Sequence, residues 1–527
     1  MKKTQFKTDI HQIFLLTKRN FSDWDKNPRI WMTFALGFVL CLMLTNQILE
    51  QAQTFQTPVQ MFEPLIWTFG DAQSVMLSSL LLLLLFADMP FVNQMTPYWL
   101  IRTKRSVWMA SQILYVILST CLYTVFLCLT ELLIASPWAY VGNVWSQTAA
   151  SIGYGSNNHL TVPVSIKTME MTTPYKCAIC VVFLMLFYSL FITSVMLVLN
   201  LQKGRAGGVV GALLINLYGI LLTPDIFQKV FHLGGGLSYR ANILCGWLSP
   251  LNHATFPMHN FGYDYLPQIK ISILLFLAVI CILLFISRKC INDIILHFLR
   301  LMNPDGIRKG KIMKAAVKVK NLTKSFGKEK VLKGISHTFE AGKIHGIMGF
   351  NGSGKTVMFK CICGFLQPDR GSVYVYGKRI GKDIDFPENT GMIIESPGFL
   401  PYISGYENLK RLAQLNRKIG DTEIRDAIAR VGLDPFSKKK VGQYSLGMRE
   451  RLGIAQAIME RPKLLILDEP FNGLDKRGAQ DVCELFVELK EKGTTILLAA
   501  HNVMEMEWLC DTVCEMDAGQ LEVVYEK

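Results

Sequence analysis

The sequence has no second CxxC pair to accompany Cys177 and Cys180 at zinc spacing, which argues against a thiolate metal or redox site. Its thirteen cysteines have a plainer reading, because Cys41, Cys121, Cys128 and Cys281 sit inside apolar runs, where cysteine acts as a small hydrophobe. The opening MKKTQFKTDIHQIF lacks the apolar core and small-residue cleavage site of a secretory leader, so none is expected. Acidic residues are outnumbered, 41 against 55 lysines and arginines, for a net charge of +14. That excess opens a nucleic-acid reading. Basic residues gathered on one side of a membrane explain it as well, and no nucleic-acid partner is expected.

What is present is apolar sequence, half of all residues, concentrated before about residue 290. A bilayer core needs about 20 apolar residues in helix. Six stretches come near that length: Ile30 to Leu49, Ser74 to Val92, Val107 to Ile134, Cys177 to Leu201, Gly207 to Leu222 and Ile271 to Ile286. Seven basic residues from Lys2 to Arg29 precede the first, whereas 50–72 holds acids and no lysine or arginine. Arg102, Lys104, Arg105, Lys203 and Arg205 fall in alternate loops. The pattern predicts a multi-pass protein of the cytoplasmic membrane with both termini in the cytoplasm and the lipid bilayer as partner. Phe6 to Phe21 has helical apolar spacing and is expected to lie along the inner face. The short basic aromatic loop 96–106 is a candidate coupling element. Asp88 and Glu131 are acids within or near apolar runs; such acids are costly and suggest function, but each is within reach of a span end, where a hydrated structural role is the alternative.

The last 210 or so residues have ordinary globular composition. They contain GFNGSGKT, Gly349 to Thr356, which fits GxxxxGK[ST] at every fixed position. Lys343 to Met348 reads as the preceding strand and Val357 to Phe365 as the following helix. Glycines let the backbone approach phosphates, and the amides of Asn351, Gly352, Ser353, Gly354, Lys355, Thr356 and Val357 then face the anion. Lys355 supplies a cation and the Thr356 hydroxyl a ligand for Mg2+. Further on, KLLILDEP (463–470) is an apolar run ending in two acids. A buried parallel strand would deliver Asp468 and Glu469 to its C-terminal edge, where α/β sheets bind ligands. Asp468 is expected to hold Mg2+ and Glu469 to act as general base on water. ATP and Mg2+ are the expected cofactors.

From here residues 315–527 resemble the nucleotide-binding domain of the ABC transporter superfamily. Tyr444 to Met448 (YSLGM) stands where that family has its signature loop, usually LSGGQ, and RERLGIAQAIMERP resembles the helix after it. The resemblance implies that Ser445 and Gly447 reach the nucleotide of a partner copy, although Leu446 and Met448 depart from the family pattern. It implies a dimer-joining loop at Gly473 to Asp475, a switch histidine at His501 and an adenine-stacking aromatic at Phe326. Glu395, in MIIESPGF, stands where the family usually has a glutamine directed at Mg2+. This glutamate, with ESPGF and YSLGM, is similar to bacterial exporters of the lantibiotic-immunity and bacitracin-resistance kind. The membrane half resembles six-span type-2 permeases.

The expected fold is therefore a membrane α-helical bundle of about six spans followed by an α/β P-loop NTPase domain with a helical subdomain. The expected division is 1–28 cytoplasmic or interfacial, 29–287 transmembrane, 288–314 linker and 315–527 ATPase. One phosphate loop per chain implies pairing, as a homodimer or with a related half. The resemblance implies ATP-driven export of a peptide or amphipathic cargo. The rival reading, a sensor or mechanical coupler that moves no cargo, is disfavoured by outer loops of only about 40 residues.

Overall fold

The computed structural model describes the chain except residues 1, 23, 92–94, 155–163, 233–236, 263, 300–314, 328, 396, 501–505 and 507. It divides into two compact units. One comprises Leu16–Phe91 and Met109–Ile291; the other comprises Met1–Leu15, Val92–Trp108 and Asn292–Lys527.

The helices run in chain order as α1 (Lys2–Ser22), α2 (Pro28–Phe55), α3 (Glu63–Phe69), α4 (Ala72–Phe86), α5 (Thr96–Leu100), α6 (Arg105–Ala135), α7 (Gln147–Tyr154) and α8 (Ile166–Met171). They continue as α9 (Pro174–Lys203), α10 (Arg205–Leu221), α11 (Pro224–Val230), α12 (Ser238–Leu248) and α13 (Ile269–Leu299). Two short strands, β1 (Val59–Gln60) and β2 (Ala139–Tyr140), pair in parallel.

Among the described residues, four helical stretches are long and apolar enough to cross a membrane: Pro28–Phe55, Arg105–Trp138, Pro174–Lys203 and Ile269–Arg288. Two bent pairs bring the number to six if each is one span. In the first, α3 and α4 meet at 80°; in the second, α10 and α11 meet at 72°. The second expected span, Ser74 to Val92, therefore differs from what forms. Its helix starts where Asp71 caps α4 by accepting from the amides of Gln73 and Ser74, and it stops at Phe86. A cap stabilises a helix start by about 1 kcal/mol, which fixes the bend at Gly70 and Asp71. Several polar groups in this core are paired: Ser79 Oγ and Tyr188 Oη both donate to Asn216 Oδ1, at 2.9 and 3.0 Å, and Tyr123 Oη donates to Ser78 O at 2.9 Å. Helix α13 runs past the last expected span, into the expected linker, as far as Leu299, and 300–314 lie outside the described residues.

The other unit is built on two sheets. Strands β3 (Ala315–Phe326), β4 (Glu329–Glu340), β5 (Ile344–Met348), β6 (Arg370–Val375), β7 (Lys378–Arg379) and β8 (Thr390–Ile393) come first. β9 (Leu464–Asp468), β10 (Thr495–Ala499), β11 (Thr512–Asp517) and β12 (Gln520–Glu526) complete them. One sheet has the order β4-β3-β6-β7 and is antiparallel. The other runs β12-β11-β5-β10-β9-β8, parallel except for the β12 edge. β9 and β10 are buried at every position, as continuous apolar strands covered on both faces must be. The helices are α14 (Lys355–Ile362), α15 (Gly405–Asn416), α16 (Asp421–Arg430), α17 (Leu446–Ile458) and α18 (Lys476–Glu491).

The start of α1 and the loop carrying α5 pack within this same unit. Gln12 Nε2 donates to Leu415 O on α15 at 3.0 Å and to Arg102 O at 3.4 Å. The first part of α1, expected from its sequence to lie along a membrane face, is thus engaged by a protein surface at Gln12. Arg102 is the anchor of the loop. Its side chain is 3% exposed, and Nε lies 2.6 Å from Glu460 Oε1 while Nη1 donates to Tyr98 O at 3.1 Å. With the Gln456 amide turned to donate to Met392 O, Gln456 Oε1 also accepts from both Arg102 Nη atoms, at 3.3 and 3.2 Å. Arg105 Nη2 donates to Gly364 O at 2.5 Å, and its guanidinium lies 4.8 Å from the centre of the Phe386 ring.

Candidate functional site

The parallel sheet sets the site through its register. Ala499 pairs with both Ile347 and Asp468, and Ile393 pairs with Leu467. The C-terminal ends of β5, β8 and β9 therefore lie level at one edge, which is where a parallel α/β sheet offers a crevice. A cleft of about 760 Å³ opens there. Phe326, Asn351, Gly352, Gly354, Lys355, Thr356, Val357, Glu395, Asp468 and Glu469 all line it.

The loop after β5 is shaped by its glycines. Gly349 has φ +148°, and a Cβ there would meet Met516 O at 2.2 Å; Gly354, at φ +113°, forms the N-cap of α14. No other residue type takes both positions without strain. Ser353 donates its amide to Phe350 O at 3.1 Å, which closes the loop. Lys355, 5% exposed as a residue, folds back so that Nζ donates to Gly349 O at 2.5 Å and Phe350 O at 3.2 Å, with Glu469 Oε1 at 3.9 Å. The ammonium thus rests on carbonyls of its own loop, poised over the helix N-terminus.

Across the cleft, Thr356 Oγ1 donates to Asp468 Oδ2 at 2.6 Å. Burial raises the Asp468 carboxyl above its ordinary range. The Thr356 hydroxyl opposes that shift, Glu469 adds to it and Lys355 opposes it. Among the described residues, the second Asp468 oxygen and the Ser353 hydroxyl are buried without hydrogen-bond partners. Buried polar groups are normally satisfied, so two orphans beside a glycine loop mark where an outside ligand completes the set. An anion supplies acceptors for Ser353 and Lys355, and a hard cation suits the oxygens of Thr356, Asp468 and Glu395.

Glu395 and Glu469 share a feature no sequence pattern announced: both have left-handed backbone, φ +60° and +52°. Such conformations are uncommon for residues other than glycine, and they cluster at functional sites. Glu395 pairs with Lys360 of α14 at 2.5 Å, so a cation already accompanies its charge.

Ser445, Gly447 and Asp475 stand elsewhere. Ser445 caps α17 and accepts from the amide of Met448 at 3.2 Å; Asp475 caps α18 and accepts from Gly478 at 3.1 Å. A Cβ on Gly447 would meet Gly473 O at 2.7 Å, so the signature-like loop and the 473–475 loop lie against each other. None of these three lines the cleft within this chain, whereas Leu446, Glu450, Asn472 and Gly473 do. His501 lies outside the described residues.

Glu450 was not foreseen. Its signal was present: it shares helical spacing with Gly453, Ile454, Ala457 and Ile458, all buried, so an acid stands on the apolar face of α17. At 5% exposure, burial pushes its carboxyl up to about 7, with Arg449 pulling the other way. The folded state thus keeps a proton that the unfolded chain releases near 4.5. Its stabilising contribution is complete below that value and is lost as pH rises through about 7, to a limit of about 3 kcal/mol. Glu450→Gln is expected to flatten the decline in thermal stability between about pH 5 and about pH 8 and to raise Tm at the upper end. An unchanged pH profile of Tm would refute this assignment.

Residues 332–472 match the family model described as ABC transporter, a span that contains the loop from Gly349 to Thr356 and both cleft acids. The chain is 43% identical over 215 residues to the uncharacterized ABC transporter ATP-binding protein YybJ of Bacillus subtilis, an alignment covering 40% of this chain and 99% of that protein. It is 40% identical over 212 residues to the bacitracin transport ATP-binding protein BcrA of Enterococcus faecalis, covering 40% of this chain and 69% of that one. It is 36% identical over 206 residues to the lantibiotic transport ATP-binding protein SrtF of Streptococcus pyogenes, covering 39% and 88%.

Proposed function

The chain belongs to the ABC transporter family and carries its ATP-hydrolysing domain, and from that premise we propose that it exports a peptide antibiotic or similar amphipathic compound across the cytoplasmic membrane. The observation that carries the reading is one bond at the mouth of the phosphate loop, Thr356 Oγ1 to Asp468 Oδ2 at 2.6 Å. It joins the two motifs that ATP hydrolysis needs, from positions 112 residues apart in sequence.

The triphosphate lies along the amides of 351–357, with Lys355 leaving its loop carbonyls to meet the terminal phosphates. Phe326 stacks on the base. Thr356 and Asp468 would hold Mg2+, with Glu395 as a further candidate ligand, and a bound ion would supply positive charge against the phosphate oxygens. Glu469 orients water and takes its proton. His501 completes the hydrolytic set. Ser445, Gly447 and Asp475 face the nucleotide of a second copy. Closing two such domains on ATP and releasing them on hydrolysis is a two-state cycle that needs ATP to favour the closed form. The working unit is a homodimer: the native mass of the purified complex should equal two chains of 59.6 kDa.

The apolar region, residues 29–287, forms the membrane part, with both termini cytoplasmic, and 315–527 forms the ATPase. Supporting the link between them is the buried guanidinium of Arg102 on Glu460, on the loop that enters α6. Removing one partner of a buried pair leaves an uncompensated charge and costs about 3 kcal/mol or more. Arg102→Ala is therefore expected to cut transport at least about tenfold per ATP hydrolysed. The ratio of cargo uptake to phosphate release in inverted vesicles measures this, and an unchanged ratio refutes the coupling role. Export itself is tested with labelled bacitracin and a lantibiotic in the same vesicles. ATP should drive accumulation of at least one of them, and none should accumulate with Glu469→Gln. Normal hydrolysis with neither compound moved would contradict the cargo assignment.

A further inference from the structure

In the membrane-helix unit, a second cleft of about 230 Å³ lies at the break between α3 and α4. Its walls are Trp67 and Asp71 from that break, Thr168 from α8, and the turn Phe256, Pro257 and Met258, among others. Three observations distinguish it from a packing defect.

First, Thr168 is 1% exposed and its Oγ1 has no hydrogen-bond partner among the described residues. Leaving a buried hydroxyl unpaired costs about 1–3 kcal/mol, and an occupant that meets it recovers that cost. Second, Asp71 brings a carboxylate to an otherwise mainly apolar wall, with Oδ2 already engaged by the α4 amides of Gln73 and Ser74. Third, the walls are held in place. Trp67 stacks on Trp145 with ring centres 5.2 Å apart. The turn at 256–258 is tied at both ends, because His253 Nδ1 and His259 Nε2 lie 2.7 and 2.9 Å from the same Ser272 hydroxyl. Lys167, one residue before Thr168, donates to Pro257 O at 3.1 Å and His259 O at 2.9 Å and pairs with Asp264 at 2.8 Å. A site fixed before binding loses little entropy when it fills.

Size and chemistry then define the occupant. A cavity of about 150 Å³ lined by apolar side chains takes benzene, whereas whole drug-sized ligands need about 300 Å³ or more. We propose that this cleft binds one aromatic group with a ring N–H, such as an indole, carrying a short cationic arm, the end group of an amphipathic ligand. The ring packs on Trp67 and Phe256, an N–H donates to Thr168 Oγ1, and the ammonium lies by Asp71. Binding stands on this geometry; naming the end group part of an exported cargo rests on the transport reading above.

The experiment is equilibrium binding of labelled tryptamine to the full chain in phosphatidylcholine nanodiscs, with empty nanodiscs as control. One saturable site per chain is expected. Met258→Trp, which fills the cleft, should weaken binding at least about tenfold, the equivalent of 1.4 kcal/mol. Thr168→Val keeps the side-chain shape and Asp71→Asn keeps the helix cap; each should weaken binding about fivefold, in the range of one hydrogen bond. All three variants should hydrolyse ATP at the parental basal rate, which verifies folding. Lys355→Ala should bind tryptamine normally, so failure of the ATPase reading leaves this result untouched. No saturable binding above empty nanodiscs, or equal binding by parent and folded Met258→Trp or Thr168→Val, would overturn the proposal.

Discussion

Replacing Glu469 by glutamine should lower ATP hydrolysis by about 10²–10⁴-fold while leaving ATP affinity within about threefold of the parent. The side chain stands at the end of β9 and lines the cleft, with its backbone amide donating to Ala499 O at 2.9 Å. Glutamine has the same shape and hydrogen-bonding reach, so binding contacts survive. It cannot take a proton from water. Loss of turnover with retained binding therefore separates a base from a structural acid. The left-handed backbone at Glu469, φ +52°, sharpens the expectation, since strain of about 1–3 kcal/mol persists only where surrounding structure enforces it. Steady-state phosphate release measured beside equilibrium nucleotide binding reads both effects. Hydrolysis at the parental rate would place the base elsewhere.

The second large effect belongs to Lys355. Its ammonium is the cation nearest the phosphate loop, 94% buried at the side chain and held by Gly349 O and Phe350 O. Lys355→Ala removes charge from the place where phosphate charge must be met, in a buried setting where such interactions are strong. Nucleotide affinity should fall at least about tenfold and turnover by a further 10²–10³-fold or so, the usual loss for one electrostatic stabiliser. Lys355→Arg should rescue poorly, because a planar guanidinium does not fit a position shaped for a compact ammonium.

The parts legible in the sequence were those where chemistry dictates local backbone. Gly349 and Gly354 need positive φ, and an apolar strand closed by Asp468 and Glu469 has one sensible place in a parallel sheet. The long apolar helices were equally clear. The bend between α3 and α4 was not, because it depends on Asp71 capping one helix at a point where apolar residues continue on both sides. Glu450 is hard to see in the sequence because it stands between Arg449 and Arg451, in a stretch that reads as a charged helix face. The Arg102 to Glu460 pair spans 358 residues, and no local pattern carries such a partner. The two loops at Ser445 and Asp475 were legible as motifs, but that they lie against each other at Gly447 and Gly473 is a matter of tertiary placement.

The central claim is that the loop from Gly349 to Thr356 grips the phosphates of ATP. The most direct test is equilibrium binding of ATP with Mg2+ to the purified full chain, parent against Lys355→Ala, with the fold of both verified by thermal unfolding. The account predicts saturable binding by the parent that weakens at least about tenfold in the variant. Equal affinity and equal turnover in a folded Lys355→Ala protein would contradict it.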